Sequence, residues 1–100
     1  MKFYYVYVLQ SKSHDFIYVG YTIDLPKRFQ LHNKGQVKST KKFSPFELIF
    51  YEAYRNKKDA KRREKYFKTT RGKTTLKTML KEYLAGREIY SEQGWVWNEA

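Results

Sequence analysis

Residues 3–20 read FYYVYVLQSKSHDFIYVG, and this stretch decides the fold. Residues 3–10 are almost continuously apolar or aromatic and rich in strand formers, which is typical of a strand covered on both faces. Ser11 to Asp15 form a polar turn, and Phe16 to Gly20 form a second short strand. The stretch therefore predicts a β-hairpin whose first strand lies at the centre of a sheet.

The position of the turn determines which side chains face each other. A loop of residues 11–14 would make Gln10 face Asp15 and would place Tyr7 directly opposite Tyr18. A slip of one residue would move the two tyrosines to opposite faces. We therefore expect Tyr7 and Tyr18 to lie side by side.

The rest of the chain predicts three helices and one more strand. Asp24 as N-cap, Pro26 in the first turn and Gly35 after the last turn predict a helix over residues 25–33. The later elements are a strand over 47–54 and helices over 57–69 and 74–84. The order ββαβαα indicates an α+β fold.

The chain divides into a domain and a tail. We expect residues 1–85 to form one domain, because 100 residues suffice for a single compact core. Residues 86–100 form an acidic tail that contains Trp95 and Trp97, and we expect it to pack loosely.

The composition limits the chemistry. The chain has no Cys, which excludes disulfides, thiol catalysis and Cys-rich metal sites, and it has two His. A metal would therefore bind to carboxylate and water oxygens, as Mg²⁺ or Mn²⁺ does. No apolar run approaches the roughly 20 residues of a membrane span, and no signal peptide is visible. We expect a cytoplasmic protein without a membrane partner.

The positive charge is concentrated in one segment. The formal net charge is +11, and +10 of it lies between Arg55 and Lys81, where twelve Lys or Arg stand against Asp59 and Glu64. Residues 82–100 carry an excess of acid instead. Such clustering predicts a basic face that binds nucleic-acid phosphates. The alternative is a solvated helix surface that only aids solubility.

Glu64 is the most informative single residue. On the predicted second helix it shares the inward apolar stripe with Ala60 and Phe67. A carboxylate in such a place requires a partner. Either it forms an inward ion pair with a neighbouring Arg, or it holds a hard cation together with waters and a substrate phosphate.

Arg28 and His32 lie one turn apart on the predicted first helix. The arginine can bind a phosphate through its guanidinium fork, and the histidine can bind the same group or take a proton near neutral pH. His32 could equally be a half-buried helix residue. Tyr7 and Tyr18, taken alone, are ordinary side chains for a core strand.

Several short motifs follow one another in a fixed order. They are Tyr5-Val6-Tyr7, Tyr18-Val19-Gly20, Arg28 and His32 within one helix, and Glu64 within Arg62-Arg63-Glu64-Lys65. This ordered set resembles the GIY-YIG nuclease superfamily. It is most similar to the small stand-alone members related to the nuclease domain of the DNA-repair subunit UvrC.

The resemblance implies a three-stranded antiparallel sheet flanked by helices and divalent-metal-dependent hydrolysis of a phosphodiester. Tyr7 and Tyr18 match the two motif tyrosines, Arg28 the helix arginine, His32 the histidine of many members and Glu64 the metal-binding glutamate. Mg²⁺ or Mn²⁺ is the implied cofactor, and nucleic acid, expected to be DNA, is the implied substrate.

Each task of phosphodiester hydrolysis has a candidate among these residues. Tyr7, assisted by Tyr18 or His32, would orient or deprotonate the water, and Arg28 would bind the phosphate. A metal on Glu64 would polarise the phosphate and stabilise the leaving oxygen. These considerations leave open whether Tyr7 or His32 is the base.

The basic residues outside this set predict contacts with the nucleic-acid backbone, without sequence readout. They are Lys38, Lys41, Lys42, Lys61, Arg62 and Lys65. A non-catalytic nucleic-acid-binding module would use the same fold, with the tyrosines as core residues and Glu64 in an ion pair. A basic partner of an acidic protein is a third reading, and it needs no site. The oligomeric state is left open.

Overall fold

The computed structural model describes residues 1–86 and the backbone of residues 96–97. The strands are β1 (Tyr4–Ser11), β2 (Phe16–Thr22), β3 (Phe46–Tyr54) and β4 (Val96–Trp97), and the helices are α1 (Leu25–Asn33), α2 (Lys57–Phe67), α3 (Thr70–Met79) and α4 (Lys81–Ala85). The strand order is β3-β1-β2-β4, with β1 antiparallel to β2 and β3. The predicted α+β class and the antiparallel sheet of three strands are therefore confirmed.

The tail contributes one short strand to the description. The backbone of β4 pairs in parallel with Phe16 and Ile17 at the start of β2. The prediction of a loosely packed tail otherwise falls outside the described residues. Of the helices that the structure does describe, none has the length and apolar character needed to cross a membrane.

The sheet separates two apolar clusters. Side chains alternate along β1, so Val6 and Val8 point to one face and Tyr7 and Leu9 to the other, and all four are fully buried. Residues of α2, α3 and α4 pack on the first face: Ala60, Phe67, Leu76 and Leu84. On the second face the buried partners include Phe16, Leu25 and Phe46. This burial on both sides explains the continuous apolar run of β1.

Helix α1 has the bounds that its sequence predicts. The Asp24 side chain accepts a hydrogen bond from the Lys27 backbone N–H at 3.2 Å, and Gly35 follows the helix with a φ of +70°. Asn33 Oδ1 accepts a bond from the Phe46 N–H at 2.6 Å. These contacts hold α1 in place beside the start of β3, with its side chain His32 buried.

The register of the hairpin differs from the predicted one. Tyr7 pairs with Gly20, and Tyr18 pairs with Leu9. The reason lies in Ser11, whose hydroxyl accepts bonds from the backbone N–H groups of Ser13 (3.2 Å) and His14 (3.1 Å). Ser11 therefore belongs to the strand, and each strand turns one residue later than predicted. The two tyrosines keep the same face as diagonal neighbours.

The third predicted helix, over residues 74–84, is in fact two helices. It starts earlier because the Thr69 hydroxyl caps it, accepting a bond from the Gly72 N–H at 3.0 Å. That cap also explains why α2 ends at Phe67 rather than at Thr69. Leu80 leaves the helical region, with φ −108° and ψ 19°, and separates α3 from α4.

A partly buried ion pair fixes the rotation of α2. Arg63 donates from Nε to Glu52 Oε1 at 2.9 Å and from Nη2 to Glu52 Oε2 at 3.2 Å. The Tyr54 hydroxyl donates to the same carboxylate at 2.6 Å, and the Arg63 guanidinium lies 4.3 Å from the centre of the Phe67 ring. Because Arg63 is bound to β3, the next residue, Glu64, is turned about 100° away from it.

Gly20 leaves the space that the Tyr7 ring occupies. A Cβ atom at residue 20 would overlap the ring carbon and the hydroxyl of Tyr7. We expect Gly20→Ala to destabilise the fold by about 1–3 kcal/mol, because the buried ring must move. Urea denaturation measures this change. Gly86→Ala is the matched control, since its nearest neighbour is 3.7 Å away, at Tyr83 O. Equal effects of the two substitutions would contradict the proposed role of Gly20.

Candidate active site

A chain of buried hydrogen bonds begins at Tyr7. The Tyr7 hydroxyl lies 2.8 Å from His32 Nε2, and His32 Nδ1 lies 2.8 Å from Thr40 Oγ1. Thr40 Oγ1 in turn lies 3.5 Å from the carbonyl oxygen of Val37. Tyr7, His32 and Thr40 have no exposed surface. The three side chains therefore form one shielded line that joins β1, α1 and the loop after α1.

The Val37 carbonyl oxygen at the end of this hydrogen-bond chain determines which atoms carry the protons. A carbonyl oxygen only accepts, so Thr40 donates to Val37 and its oxygen accepts the proton of His32 Nδ1. His32 Nε2 is then unprotonated and accepts the hydrogen bond of the Tyr7 hydroxyl. The geometry thus favours a neutral imidazole aimed at Tyr7.

The pKa of His32 agrees with a neutral ring. Burial, and to a smaller extent the positive charge of Arg28, lower it from its ordinary value of 6.5 to about 4. His32 is consequently uncharged near neutral pH.

Arg28 also lies close to the Tyr7 hydroxyl. Its guanidinium is within hydrogen-bonding reach of the hydroxyls of Tyr7 and Tyr18, and the contact with Tyr7 raises the pKa of Arg28. Burial raises the pKa of Tyr7 above its usual range, while the hydrogen bond and the charge of Arg28 oppose this. The free protein therefore holds Tyr7 as a neutral phenol.

Tyr18 completes the aromatic part of the site. Its ring centre lies 6.1 Å from that of Tyr7 and 5.0 Å from that of His32. Tyr18 is only half-buried, unlike Tyr7. It is therefore the tyrosine that a molecule outside the protein can reach.

Glu64 approaches this group from α2. Its charge contributes to the raised pKa of Tyr7, which places the carboxylate within electrostatic reach of the hydroxyl. The Glu64 side chain is 14% exposed, and its oxygens lie 3.2 Å from Lys61 Nζ and 3.3 Å from Lys68 Nζ. The ion-pair alternative had the wrong partner, because these partners are lysines and the neighbouring Arg63 pairs with Glu52.

The donor set suits one mode of cation binding. Within residues 1–86, no three His, Asp or Glu side chains gather at one point. A divalent cation at Glu64 would therefore have one protein carboxylate and would complete its shell with waters and a substrate phosphate, as Mg²⁺ commonly does. The residues present fit that mode.

The predicted phosphate-binding residues are exposed and lie in two places. Lys38, Lys41 and Lys42 are exposed in the loop that contains Thr40. Lys61, Arg62 and Lys65 are exposed on α2. Arg62 is directed away from Glu64, since its Nη2 lies 2.6 Å from Asp59 Oδ1. The structure thus brings Tyr7, Tyr18, Arg28 and His32 together, with Glu64 beside them, and sets Arg62 apart.

Two features of the site were missed by the sequence analysis. The sequence shows Thr40 only as part of a basic loop, and its place eight residues after His32 is the one signal that points to it. The second is the contact of Lys61, predicted only as a phosphate ligand, with Tyr21: its Nζ lies 4.6 Å from the centre of the Tyr21 ring. The ring therefore helps to hold this ammonium next to Glu64.

The comparisons with known proteins agree with the fold. The GIY-YIG catalytic domain matches residues 3–78. The fold and the match define a domain of the nuclease type. The chain belongs to the GIY-YIG family.

Several similar proteins carry the name UPF0213, which states no function. The chain is 46% identical over 63 residues to the UPF0213 protein YazA of Bacillus subtilis. The aligned segment covers 62% of this chain and 63% of that protein. It is 40% identical over 65 residues to a UPF0213 protein of Clostridium perfringens, covering 64% and 69%. A UPF0213 protein of Pediococcus pentosaceus is 39% identical over 79 residues, covering 78% and 82%. No solved structure shows significant similarity to the chain.

His32 should make stability depend on pH. Its pKa of about 4 in the fold lies below the ordinary 6.5, so the unfolded chain binds the proton more tightly. The contribution of His32 to the free energy of unfolding is fully present above pH 6.5. It is lost as the pH drops toward 4, a change on the order of 3 kcal/mol. Urea denaturation between pH 7 and pH 5 measures the first part of this loss.

The His32→Gln variant separates this effect from other titrating groups. It should be less stable at pH 7 because the buried hydrogen bonds change, yet its stability should vary less between pH 7 and pH 5. The same pH dependence in both proteins would show that His32 is not the titrating group.

Proposed function

We propose that this protein is a divalent-metal-dependent endonuclease that hydrolyses phosphodiester bonds of nucleic acid, with DNA as its substrate in the cytoplasm. The observation that carries the proposal is the buried hydrogen bond from Tyr7 to an unprotonated His32 Nε2 beside the Arg28 guanidinium. A phenol held between a proton acceptor and a cation is more than a core position requires. The family membership supports the same reaction class.

In the proposed reaction, Tyr7 and His32 act as a pair. Tyr7 alone is a poor base, because its raised pKa keeps the phenol protonated near neutral pH. It can accept a proton from the attacking water if its own proton passes at the same time to His32 Nε2, 2.8 Å away. His32 then carries protons on both nitrogens, and Thr40 continues to accept the one on Nδ1. The structure thus favours Tyr7 as the contact with water and His32 as the final acceptor.

Arg28 links substrate binding to the basicity of His32. Its positive charge is one of the two causes that lower the pKa of His32. A phosphate bound by Arg28 would offset that charge, so His32 would become a stronger base when the substrate is in place. Since Tyr7 has no exposed surface, the side chains that cover it must shift before water can reach the hydroxyl.

Glu64 is the residue that would hold the cation. A bound Mg²⁺ or Mn²⁺ would supply positive charge at the phosphate and at the leaving oxygen. Glu64 would exchange Lys61 and Lys68 for this ion, and the two ammonium groups would then be available to backbone phosphates. Lys61 is exposed and stands over the Tyr21 ring, so it can make such a contact.

One observation favours the alternative of a binding module. Glu64 already has two lysine partners, which neutralise it without any metal. In that case Tyr7, His32 and Thr40 would be a satisfied polar part of the core. The following experiment distinguishes the two functions.

Glu64→Gln keeps the shape of the side chain and removes its charge. We expect this variant to fold and to bind nucleic acid but to lose Mg²⁺-dependent cleavage by about 10²-fold or more, because the ligand of the cation is gone. Tyr7→Phe should lose cleavage to a similar extent. Labelled DNA and RNA incubated with Mg²⁺, Mn²⁺ or EDTA measure the rates.

Glu82→Gln is the control, since it makes the same charge change at an exposed residue of α4. It should cleave like the wild type. Absence of metal-dependent cleavage by the wild type on every substrate, together with tight binding, would reject the nuclease and leave the binding module.

Binding should depend on salt, because Lys and Arg that contact phosphates release counterions. Replacing Lys61, Arg62 and Lys65 together by Ala should weaken affinity and reduce the slope of log K against log salt by up to about two to three units. Fluorescence anisotropy at several salt concentrations measures both. Replacing the exposed Lys2, Lys12 and Lys34 by Ala is the control of equal charge. An equal loss in both triple variants would show that α2 is not the contact surface.

A further inference from the structure

Helix α2 carries a second surface that the proposed reaction does not use. A cavity of about 420 Å³ is lined by Tyr54, Asp59, Arg62, Arg63 and Tyr66. We propose that this cavity binds one unpaired nucleotide of the substrate, with its base on the tyrosine rings and its phosphate on Arg62. The proposal rests on the proposed function, because it takes nucleic acid as the ligand.

The cavity lies on a different side of α2 from Glu64. Residues 59, 62, 63 and 66 follow the spacing of one helix face, which the Arg63–Glu52 ion pair turns toward β3. Residues 61, 64 and 68 share another face, on which Lys61 and Lys68 pair with Glu64, the residue whose charge reaches Tyr7. The cavity is therefore a separate site and not an extension of the active site.

The tyrosines of the cavity offer ring surfaces and not free hydroxyls. The Tyr54 hydroxyl donates to Glu52 at 2.6 Å, and the Tyr66 hydroxyl lies 2.7 Å from Thr75 Oγ1. Both rings are thus held in place by their hydroxyls. Aromatic rings of this kind stack on nucleobases of any sequence.

The charged residues of the cavity differ in how firmly they are held. Arg63 is fixed by two hydrogen bonds to Glu52. Arg62 is 74% exposed and pairs with Asp59, which is 50% exposed. Such an exposed pair contributes little, so Arg62 can turn to a phosphate. Asp59 is then free to accept hydrogen bonds from the N–H groups of a base.

The size of the cavity favours an unpaired nucleotide. The volume lies in the range of sites for small ligands, about 300–1,000 Å³. A base inside a duplex is stacked and paired, so it cannot enter a cavity without leaving the helix. A base in a single-stranded segment can enter at much lower cost.

The two sides of α2 are close enough for one strand to reach both. A helix with its side chains is roughly 10–12 Å across, and a stacked strand advances about 3.4 Å per nucleotide. Three or four nucleotides therefore span the distance. A substrate with an unpaired nucleotide three or four nucleotides from the cleaved bond would occupy both sites.

The test measures binding in EDTA, so that it does not depend on cleavage. Fluorescence anisotropy compares a single-stranded oligonucleotide with the same sequence in a duplex, using the full chain. Tyr66→Leu and Arg62→Gln should each weaken single-strand binding by about 10-fold, the size expected for one stacked base, and duplex binding by less than about threefold. Tyr66→Phe keeps the stacking surface and loses only the bond to Thr75, so it should bind single strands more tightly than Tyr66→Leu does.

Lys57→Gln is the control for charge, since Lys57 is exposed at the start of the same helix and does not line the cavity. It should weaken both kinds of binding equally. The proposal is overturned if Arg62→Gln behaves like Lys57→Gln, or if Tyr66→Leu and Tyr66→Phe bind single strands alike.

Titration of wild-type protein with adenosine monophosphate and with inorganic phosphate, followed by amide NMR, covers the case in which Tyr66→Leu fails to fold. Shifts at residues 54, 62 and 66 with the nucleotide but not with phosphate support the cavity, and their absence rejects it. Failure of the nuclease proposal would appear separately, as loss of metal-dependent cleavage with these shifts retained.

Discussion

The site depends on a single buried contact, the hydrogen bond between Tyr7 on the central strand and His32 on α1. Both groups have lost all contact with water, so each must find its partner within the protein. Gly20 makes room for the phenol, and Thr40 satisfies the far nitrogen of the imidazole. Strand pairing, helix position and loop conformation must therefore all be correct for this one bond to form.

The sequence predicted the elements better than their contacts. The bounds of α1 follow from its caps and could be predicted from Asp24 and Gly35, since capping is local chemistry. The hairpin register was wrong because it depends on the side chain of Ser11, whose bonds form only in the folded turn. Likewise, Thr69 belongs to α3 rather than to α2 because it is a better cap than a helix interior residue.

For the site, the sequence could show which residues suit the chemistry but not which groups they contact. Tyr7, Tyr18, Arg28, His32 and Glu64 could be selected because their side chains suit phosphate chemistry. Only the folded structure shows which ring nitrogen faces Tyr7, which lysines hold Glu64 and what Thr40 does. Each depends on distances of about 3 Å between residues far apart in the chain, which no local pattern records.

Thr40 gives the basic loop a structural role besides its charge. Its hydroxyl fixes the proton on His32, and its chain neighbours Lys38, Lys41 and Lys42 are exposed on the same loop. Since these residues share a short stretch of backbone, the loop cannot shift toward a ligand without moving the oxygen that orients the imidazole. Contact with a phosphate outside the protein and the proton state inside it are thus mechanically coupled through one turn of chain.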